Sequence, residues 1–410
     1  MHWTIYLLTL ALVAFALFLL HRVGLLKSTS ATLVSVLLLL LAFGARLTVF
    51  DAVNTDYEWF LGPWVQHFRD HGGFGGFHLP VGNYNVPYLY FLAFFSYIPL
   101  PDLHLIKLLS TFFDLVLAYY VMKIVGLYVP GEMRRRIAFF ATLFLPTVFL
   151  NSAYWGQCDG IYAAFVVMSF YYVMDDRPAL SMVTLALALS FKLQAVFLFP
   201  LYLVFLYGKK LSFRHLPIFP LTYLLSILPA VFLGRPFLET LLFYATRPPH
   251  AGLSYNAPSI FAFYQGGHYN ATLALVGLFF AFLFVFFIYV LVLVREDALL
   301  SNEGYLTLAL IFAVGVPLLL PHMHDRYFYM ADVFAVMLGL ARLRYLVAIP
   351  LTQFASLLGY HTFLHHFADP PLQIPFIHFR MMHYGAAALL ILLAYLVLNL
   401  LLRRHSSLVG

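Results

Sequence analysis

The chain has 410 residues, of which 63% are hydrophobic, 19% aromatic and only 10% charged, with a formal net charge of +6 and a mean hydropathy of +0.90. This composition excludes an ordinary soluble domain, and apolar runs of about twenty residues recur throughout, so the chain reads as an all-α polytopic membrane protein. Its positive charge is scattered through short loops and reads as membrane orientation, which makes the lipid bilayer a partner and leaves no nucleic-acid footprint; the single cysteine, Cys158, excludes an internal disulfide.

The first apolar run, Ile5 to Leu20, has no basic segment before it and no small-residue cleavage motif after it, and reads as a retained helix. The second, Ser30 to Phe50, ends at a polar segment from Asp51 to about Tyr84. Thr55 with Glu58 three residues on has the pattern of a capping box, which predicts a helix start there. Tyr57, Phe60, Leu61, Trp64 and Phe68 then fall on one helical face, while Glu58, Gln66, Arg69 and Asp70 lie largely off it, predicting an amphipathic helix along the membrane interface. Asp56 stands just before that helix, where the positive helix end favours an ionised carboxylate. Such a group suits a base acting on a hydroxyl. It suits a plain helix start equally well.

The stretch from Val86 to Pro101 is apolar but only about fifteen residues long and bracketed by Pro87 and Pro101, so a juxtamembrane or re-entrant helix is predicted rather than a crossing. Helices are predicted at 3–20, 30–50, 104–127, 137–150, 160–174, 179–191, 193–208, 216–233, 272–294, 305–320, 329–341, 345–361 and 382–402, giving about thirteen spans. The pair 179–191 and 193–208 is short for two spans and is also compatible with one broken element. His21-Arg22 with Lys27, Arg134 to Arg136, Arg177, Lys209-Lys210 with Arg214, Arg295, Arg342 with Arg344, and Arg403-Arg404 can all share the cytoplasmic side. That assignment puts the N-terminus outside, the C-terminus inside, and the chemistry-bearing loops on the outer face of a plasma membrane.

Those outer loops carry three polar islands beyond Asp56. In Asn151 to Gly160, Gly156 and Gly160 allow a tight re-entry, and Trp155, Gln157 and Asp159 exceed what a helix cap at Asp159 requires. In His322-Met323-His324-Asp325-Arg326-Tyr327, no set of well-spaced zinc ligands is evident, and an anion site is simpler, with imidazoles and a bidentate guanidinium as donors. The loop 234–271 carries Arg247-Pro248-Pro249-His250 and then Tyr255 and Asn256, suited to a lid or an acceptor wall. Single basic residues at Arg46, Arg69, Lys107, Lys192, Arg235, Arg247, Arg326 and Arg380 oppose the orientation bias, and as a set they predict an outward pocket for a lipid-linked anion. His361, His365, His366, His378 and His383 have no metal-ligand spacing and read as polar lining. Asp114 is the clearest ionisable residue near mid-bilayer.

At these residues the chain resembles the multi-pass, lipid-dependent glycosyltransferases of the GT-C fold, most closely bacterial relatives of the mannosyltransferases of GPI-anchor assembly and more distantly the dolichol-pathway glucosyltransferases. Asp56-Tyr57-Glu58 resembles the acidic motif of the family's first large outer loop. Tyr84-Asn85-Val86-Pro87-Tyr88 resembles the Tyr-x-x-Pro element after it. Trp155-Gly156-Gln157-Cys158-Asp159 and Ser190-Phe191-Lys192-Leu193-Gln194 resemble two segments of the family's bundle, and His322 to Arg326 resembles its later His-x-His-acid-basic motif. Arg326 stands where the dolichol-pathway enzymes have lysine, and one helix precedes the one usually placed first. The resemblance covers roughly residues 50–330.

The resemblance implies a single integral membrane domain over 1–410, with about 30–330 the family-like catalytic part and 331–410 the C-terminal helices. It implies inverting transfer of one hexose, mannose favoured and glucose possible, from a polyprenyl-phosphate donor to a lipid-linked or cell-surface glycan acceptor. Asp56 is then the base; His322, His324, Arg326 and Lys192 hold the donor phosphate; Asp159, Gln157, Trp155, Glu58, Tyr84, Tyr255 and Asn256 line the sugar or acceptor pocket. The scheme requires no metal and no cofactor beyond the donor substrate. A transporter or flippase of a lipid-linked sugar is the alternative, and it would lean on a mid-bilayer carboxylate such as Asp114.

Overall fold

Helices make up 76% of the chain in the computed structural model, which describes residues 2–246, 252–264, 266 and 269–402. The loop residues Arg247 to His250 and the terminal pair Arg403-Arg404 lie outside them. The chain opens with α1 (Trp3–Arg22) and α2 (Thr29–Leu47), the latter started by Ser28, whose Oγ accepts the Ala31 N–H at 3.2 Å. A two-residue strand, β1 (Val53–Asn54), leads into one π-helical turn over Tyr57–Leu61, then α3 (Gly62–Asp70) and α4 (Val86–Phe95). At 10 residues α4 is about 15 Å long, half the hydrocarbon thickness of about 30 Å. It is a short helix, as its flanking prolines predict.

Next come α5 (Asp102–Tyr128), α6 (Glu132–Phe144) and α7 (Pro146–Phe149), the last two elements bent by 48° at their junction. Pro146 is the cause: it holds Leu145 extended at φ −60° and ψ 122°, so the helical ladder stops there. Beyond the bend a π-helical turn over Leu150–Trp155 ends at Gly156, whose φ of +75° lies in the left-handed region that glycine enters without a Cβ penalty. The chain continues through α8 (Asp159–Met174), α9 (Pro178–Phe191), α10 (Phe199–Tyr207), α11 (Ile218–Phe232) and α12 (Phe237–Leu241). Lys192, extended at φ −149° and ψ 139°, separates α9 from the turn that opens α10. The remainder is β2 (Ser254–Tyr255), α13 (Ala271–Val294), α14 (Glu296–Leu299), α15 (Asn302–Leu319), β3 (Met323–His324), α16 (Tyr329–Ala341), α17 (Ala348–Phe367), β4 (Ala368–Asp369) and α18 (Met382–Leu402).

Among the described residues, seven helices are long and apolar enough to cross a membrane, or eight counting the bent pair, and five shorter apolar helices accompany them. Apart from α4, these helices fall on twelve of the thirteen segments predicted as spans; the remaining predicted span, 345–361, falls on α17, which is not among them. α5, α8, α9, α15 and α16 pack at the centre, with Ile311, Phe312, Val333 and Phe334 fully enclosed. α13 turns Phe279, Phe282, Phe286 and Leu293 outward, as a helix facing lipid does.

The polar loop contacts fall into two groups. At one end Lys27 pairs with Glu132 (2.6 Å), Arg136 donates to the Leu25 carbonyl, Lys210 pairs with Asp176, and Arg342 and Arg344 both reach Glu303. At the other, Arg69 pairs with Asp102 (2.7 Å), His104 bonds Asp51, β1 pairs antiparallel with β4, and β2 pairs parallel with β3. Each contact joins segments predicted on the same side. The polar islands of the sequence all fall in the second group.

Candidate functional site

Asn54, the last residue of β1, sets the geometry around Asp56. Its Oδ1 accepts the Tyr57 N–H at 3.2 Å and its Nδ2 donates to the Trp155 carbonyl at 2.8 Å. Asn54 therefore caps the turn, where the sequence pattern predicts a Thr55–Glu58 box. Glu58 is exposed on the π-helical turn. The predicted apolar face holds for Leu61, Trp64 and Phe68, which are buried, while Trp59 and Phe60 are exposed.

The Asp56 carboxylate is gripped through one oxygen. Its Oδ2 accepts from Trp155 Nε1 (2.8 Å), Gln157 Nε2 (2.6 Å) and Arg326 Nη1 (3.2 Å). Among the described residues, Oδ1 has no hydrogen-bond partner. The Asp56 side chain is 21% exposed and that of Arg326 13%, so these two form the open edge of an otherwise enclosed cluster.

Behind them lies a second carboxylate. Asp159, at the start of α8, is buried and bonds Lys192 Nζ through Oδ1 (2.6 Å) and Asn151 Nδ2 through Oδ2 (2.8 Å), with Arg326 Nε 3.4 Å from Oδ2. Asn151 also donates to the Tyr360 hydroxyl at 3.1 Å. Tyr84 donates to Gln157 Oε1 (3.2 Å), and burial keeps its phenol protonated, well above the ordinary range. Its ring faces the Lys192 ammonium at 5.4 Å. The Trp155 ring lies between the Arg326 guanidinium, 4.5 Å from its centroid, and Phe363, stacked at 4.5 Å. Trp155, Gln157 and Asp159 are thus enclosed groups that hold Asp56, Lys192 and Arg326 in place.

The other predicted residues form a neighbouring wall. His322 adopts a positive φ of 64° and bonds the Gly252 carbonyl through Nδ1 at 2.7 Å. His324 stacks on Tyr255 at 4.6 Å and touches the ring of Tyr327 at 5.3 Å. Asn256 bridges to His324. This wall rests on α17 at Gly359, where a Cβ would lie 2.8 Å from the carbonyl oxygens of both Asn256 and Asp325. From that motif it is the Arg326 side chain that reaches the Asp56 cluster.

The set of single cations does not form one pocket. Lys107 donates to the carbonyls of Val49 (3.1 Å), Phe50 (3.0 Å) and Ala52 (2.6 Å), satisfying acceptors left open past the end of α2. Arg46 pairs with Asp114 at 2.9 Å, Arg69 with Asp102, and Arg235 donates to the Val81 carbonyl. Arg380 is exposed before α18. Lys192 and Arg326 are the two that meet Asp56 or Asp159 among the described residues. No cluster of three or more His, Cys, Asp or Glu residues able to hold a metal occurs among them either.

Asp325 adds a titratable group. Its Oδ1 is buried 3.7 Å from Arg326 Nη1. Burial pushes its carboxyl up to about 7, against the pull of Arg326. From about pH 4 to about pH 7 the folded protein keeps a proton here that the unfolded chain releases, so stability falls as pH rises through that window. Thermal unfolding in detergent is expected to come several degrees earlier above the window than within it, with that slope removed in Asp325→Asn. A slope unchanged in the variant would assign it to another group. With Asp325 neutral, Asp56 and Asp159 balance Lys192 and Arg326.

Compared with known proteins, the chain matches no protein-family model and no curated sequence.

Proposed function

We propose that the protein is an inverting hexosyltransferase of the GT-C type. It moves one sugar, mannose in preference to glucose, from a polyprenyl-phosphate donor to a lipid-linked or cell-surface glycan acceptor. The observation that carries this reading is the asymmetric grip on Asp56: three donors fix Oδ2, while Oδ1 has no hydrogen-bond partner among the described residues. A carboxylate so held keeps one oxygen free to take the proton of an acceptor hydroxyl, and the phosphate of the donor is already a competent leaving group. A phosphodiester arriving over Arg326 takes part of the guanidinium from Asp56, and the bidentate fork of Arg326 suits its two free oxygens. Lys192, one layer deeper on Asp159, keeps the positive field in place as charge builds on the departing phosphate.

In this reading about thirteen helices cross the bilayer, the basic end of the bundle faces the cytoplasm, and the site opens on the extracytoplasmic side. Tyr255, Asn256 and His324 form the wall over the donor, with Glu58 and Trp59 at its entrance. The transport alternative rests on Asp114 as a mid-bilayer carboxylate. That group is already engaged, by Arg46 at 2.9 Å and by the Ser152 hydroxyl at 2.5 Å. The test is transfer of radiolabel by purified protein in liposomes, offered polyprenyl-phosphate mannose and glucose separately with membrane-extracted acceptors. A labelled, protein-dependent product is expected. Absence of product with either donor, together with movement of the lipid-linked sugar across the bilayer, would sink the reading in favour of transport.

A further inference from the structure

Asp332 is the one carboxylate in the bundle that the proposed chemistry leaves unexplained. It sits in the first turn of α16 and is fully buried. Neither of its oxygens lies in a well-aligned hydrogen bond, and among the described residues it makes no salt bridge. The groups that face it are all neutral: the hydroxyls of Ser356, Thr352 and Thr147 and the amide of Gln353. Ser356 Oγ is itself buried without a partner. Thr147 and Gln353 are bonded to each other, Gln353 Nε2 donating to Thr147 Oγ1 at 2.8 Å, and Thr352 Oγ1 donates to the Ile349 carbonyl at 3.2 Å. The hydroxyl oxygens of both threonines thus keep lone pairs.

A buried carboxylate without a counter-charge is far too costly to stand alone, so the site holds either a proton or a cation. The polar side chains around Asp332 can offer a metal oxygen ligands only, with one negative charge among them. Zinc asks for nitrogen or sulfur ligands, and a divalent ion would leave a net charge in the apolar interior. A hard monovalent cation matches both the donor type and the charge. We propose that Asp332, Ser356, Thr352, Thr147 and Gln353 form a binding site for one alkali cation. Its ligands come from α7, α16 and α17. α7 leads into the turn carrying Trp155, α16 follows the loop carrying Arg326, and α17 carries Tyr360, which holds Asn151. A cation at this crossing therefore fastens together three elements that frame the Asp56 site, whatever reaction that site performs.

The experiment is thermal unfolding of the purified full chain in detergent at one alkaline pH, with equal concentrations of sodium, potassium or N-methylglucamine chloride. A cation that binds only the folded state raises the melting temperature saturably. Sodium or potassium is expected to do so over N-methylglucamine, and the salt that acts identifies the ion. Asp332→Asn is expected to melt alike in all three salts. Ser356→Ala, which keeps the charge, should raise the concentration for half-maximal effect about tenfold, and it serves should Asp332→Asn fail to fold. Identical melting of wild type in the three salts overturns the proposal. So does stabilisation by acid that depends on Asp332 without any cation dependence, which would assign a proton to the site.

Discussion

Asp56→Asn is expected to lower sugar transfer by about 10²- to 10⁴-fold, the usual contribution of a positioned general base. Asparagine keeps the size of the side chain and one acceptor oxygen for Trp155 Nε1 and Gln157 Nε2, but it cannot take the acceptor's proton. The fold should tolerate the change. Asp56 is at the open edge of the cluster, and Arg326 retains Asp159 and Asp325 as neighbours. The measurement is transfer rate and melting temperature on the same preparation. Lost transfer with unchanged melting supports the assignment of base. Undiminished transfer removes Asp56 from that role and leaves the enzyme to be explained through another group.

Lys192→Met is expected to act on stability first. Lys192 and Asp159 are paired at 2.6 Å with side chains only 6% and 1% exposed. Removing one member of a buried pair strands the other, at a cost of about 3–5 kcal/mol, because a charge is left in a medium that cannot solvate it. Asn151 and Arg326 soften the loss, since both still reach Asp159 Oδ2. The double variant Lys192→Met with Asp159→Asn removes both charges and should recover much of the melting temperature lost by the single one. A single variant as stable as wild type would show that Arg326 alone compensates Asp159.

Much of this site was legible because ionisable residues are scarce in so apolar a chain. Asp56, Gln157, Asp159, Lys192 and Arg326 lie in four distant segments, yet each stood out as a polar residue without an anchoring role. The residues that hold them gave no such signal. Asn54 works by meeting the Trp155 carbonyl, and Tyr360 by meeting Asn151, and neither contact has a periodic signature in the sequence. Arg46, Lys107 and Arg69 misled for the opposite reason. Their charge was visible while their partners, a carboxylate or a row of carbonyls brought close by the fold, were not. His322 and His324 are near neighbours of Arg326 in sequence, but the positive φ at His322 and the pairing of β3 with β2 direct them to a separate wall. Helix positions were readable from hydropathy alone. The bend at Pro146, which lies between α6 and the turn carrying Trp155, was not.

The distances along the chain between bonded groups also prescribe an order of assembly during synthesis. Asp159 and Lys192 are only 33 residues apart, so their charges can cancel soon after both helices have entered the bilayer. Asp56 emerges far earlier than Arg326, its guanidinium partner 270 residues downstream. Until that arginine is made, Asp56 has only Trp155 and Gln157 to bond. A chain interrupted before Arg326 would therefore carry Asp56, Asp159 and Lys192, and still lack the guanidinium that reaches both carboxylates.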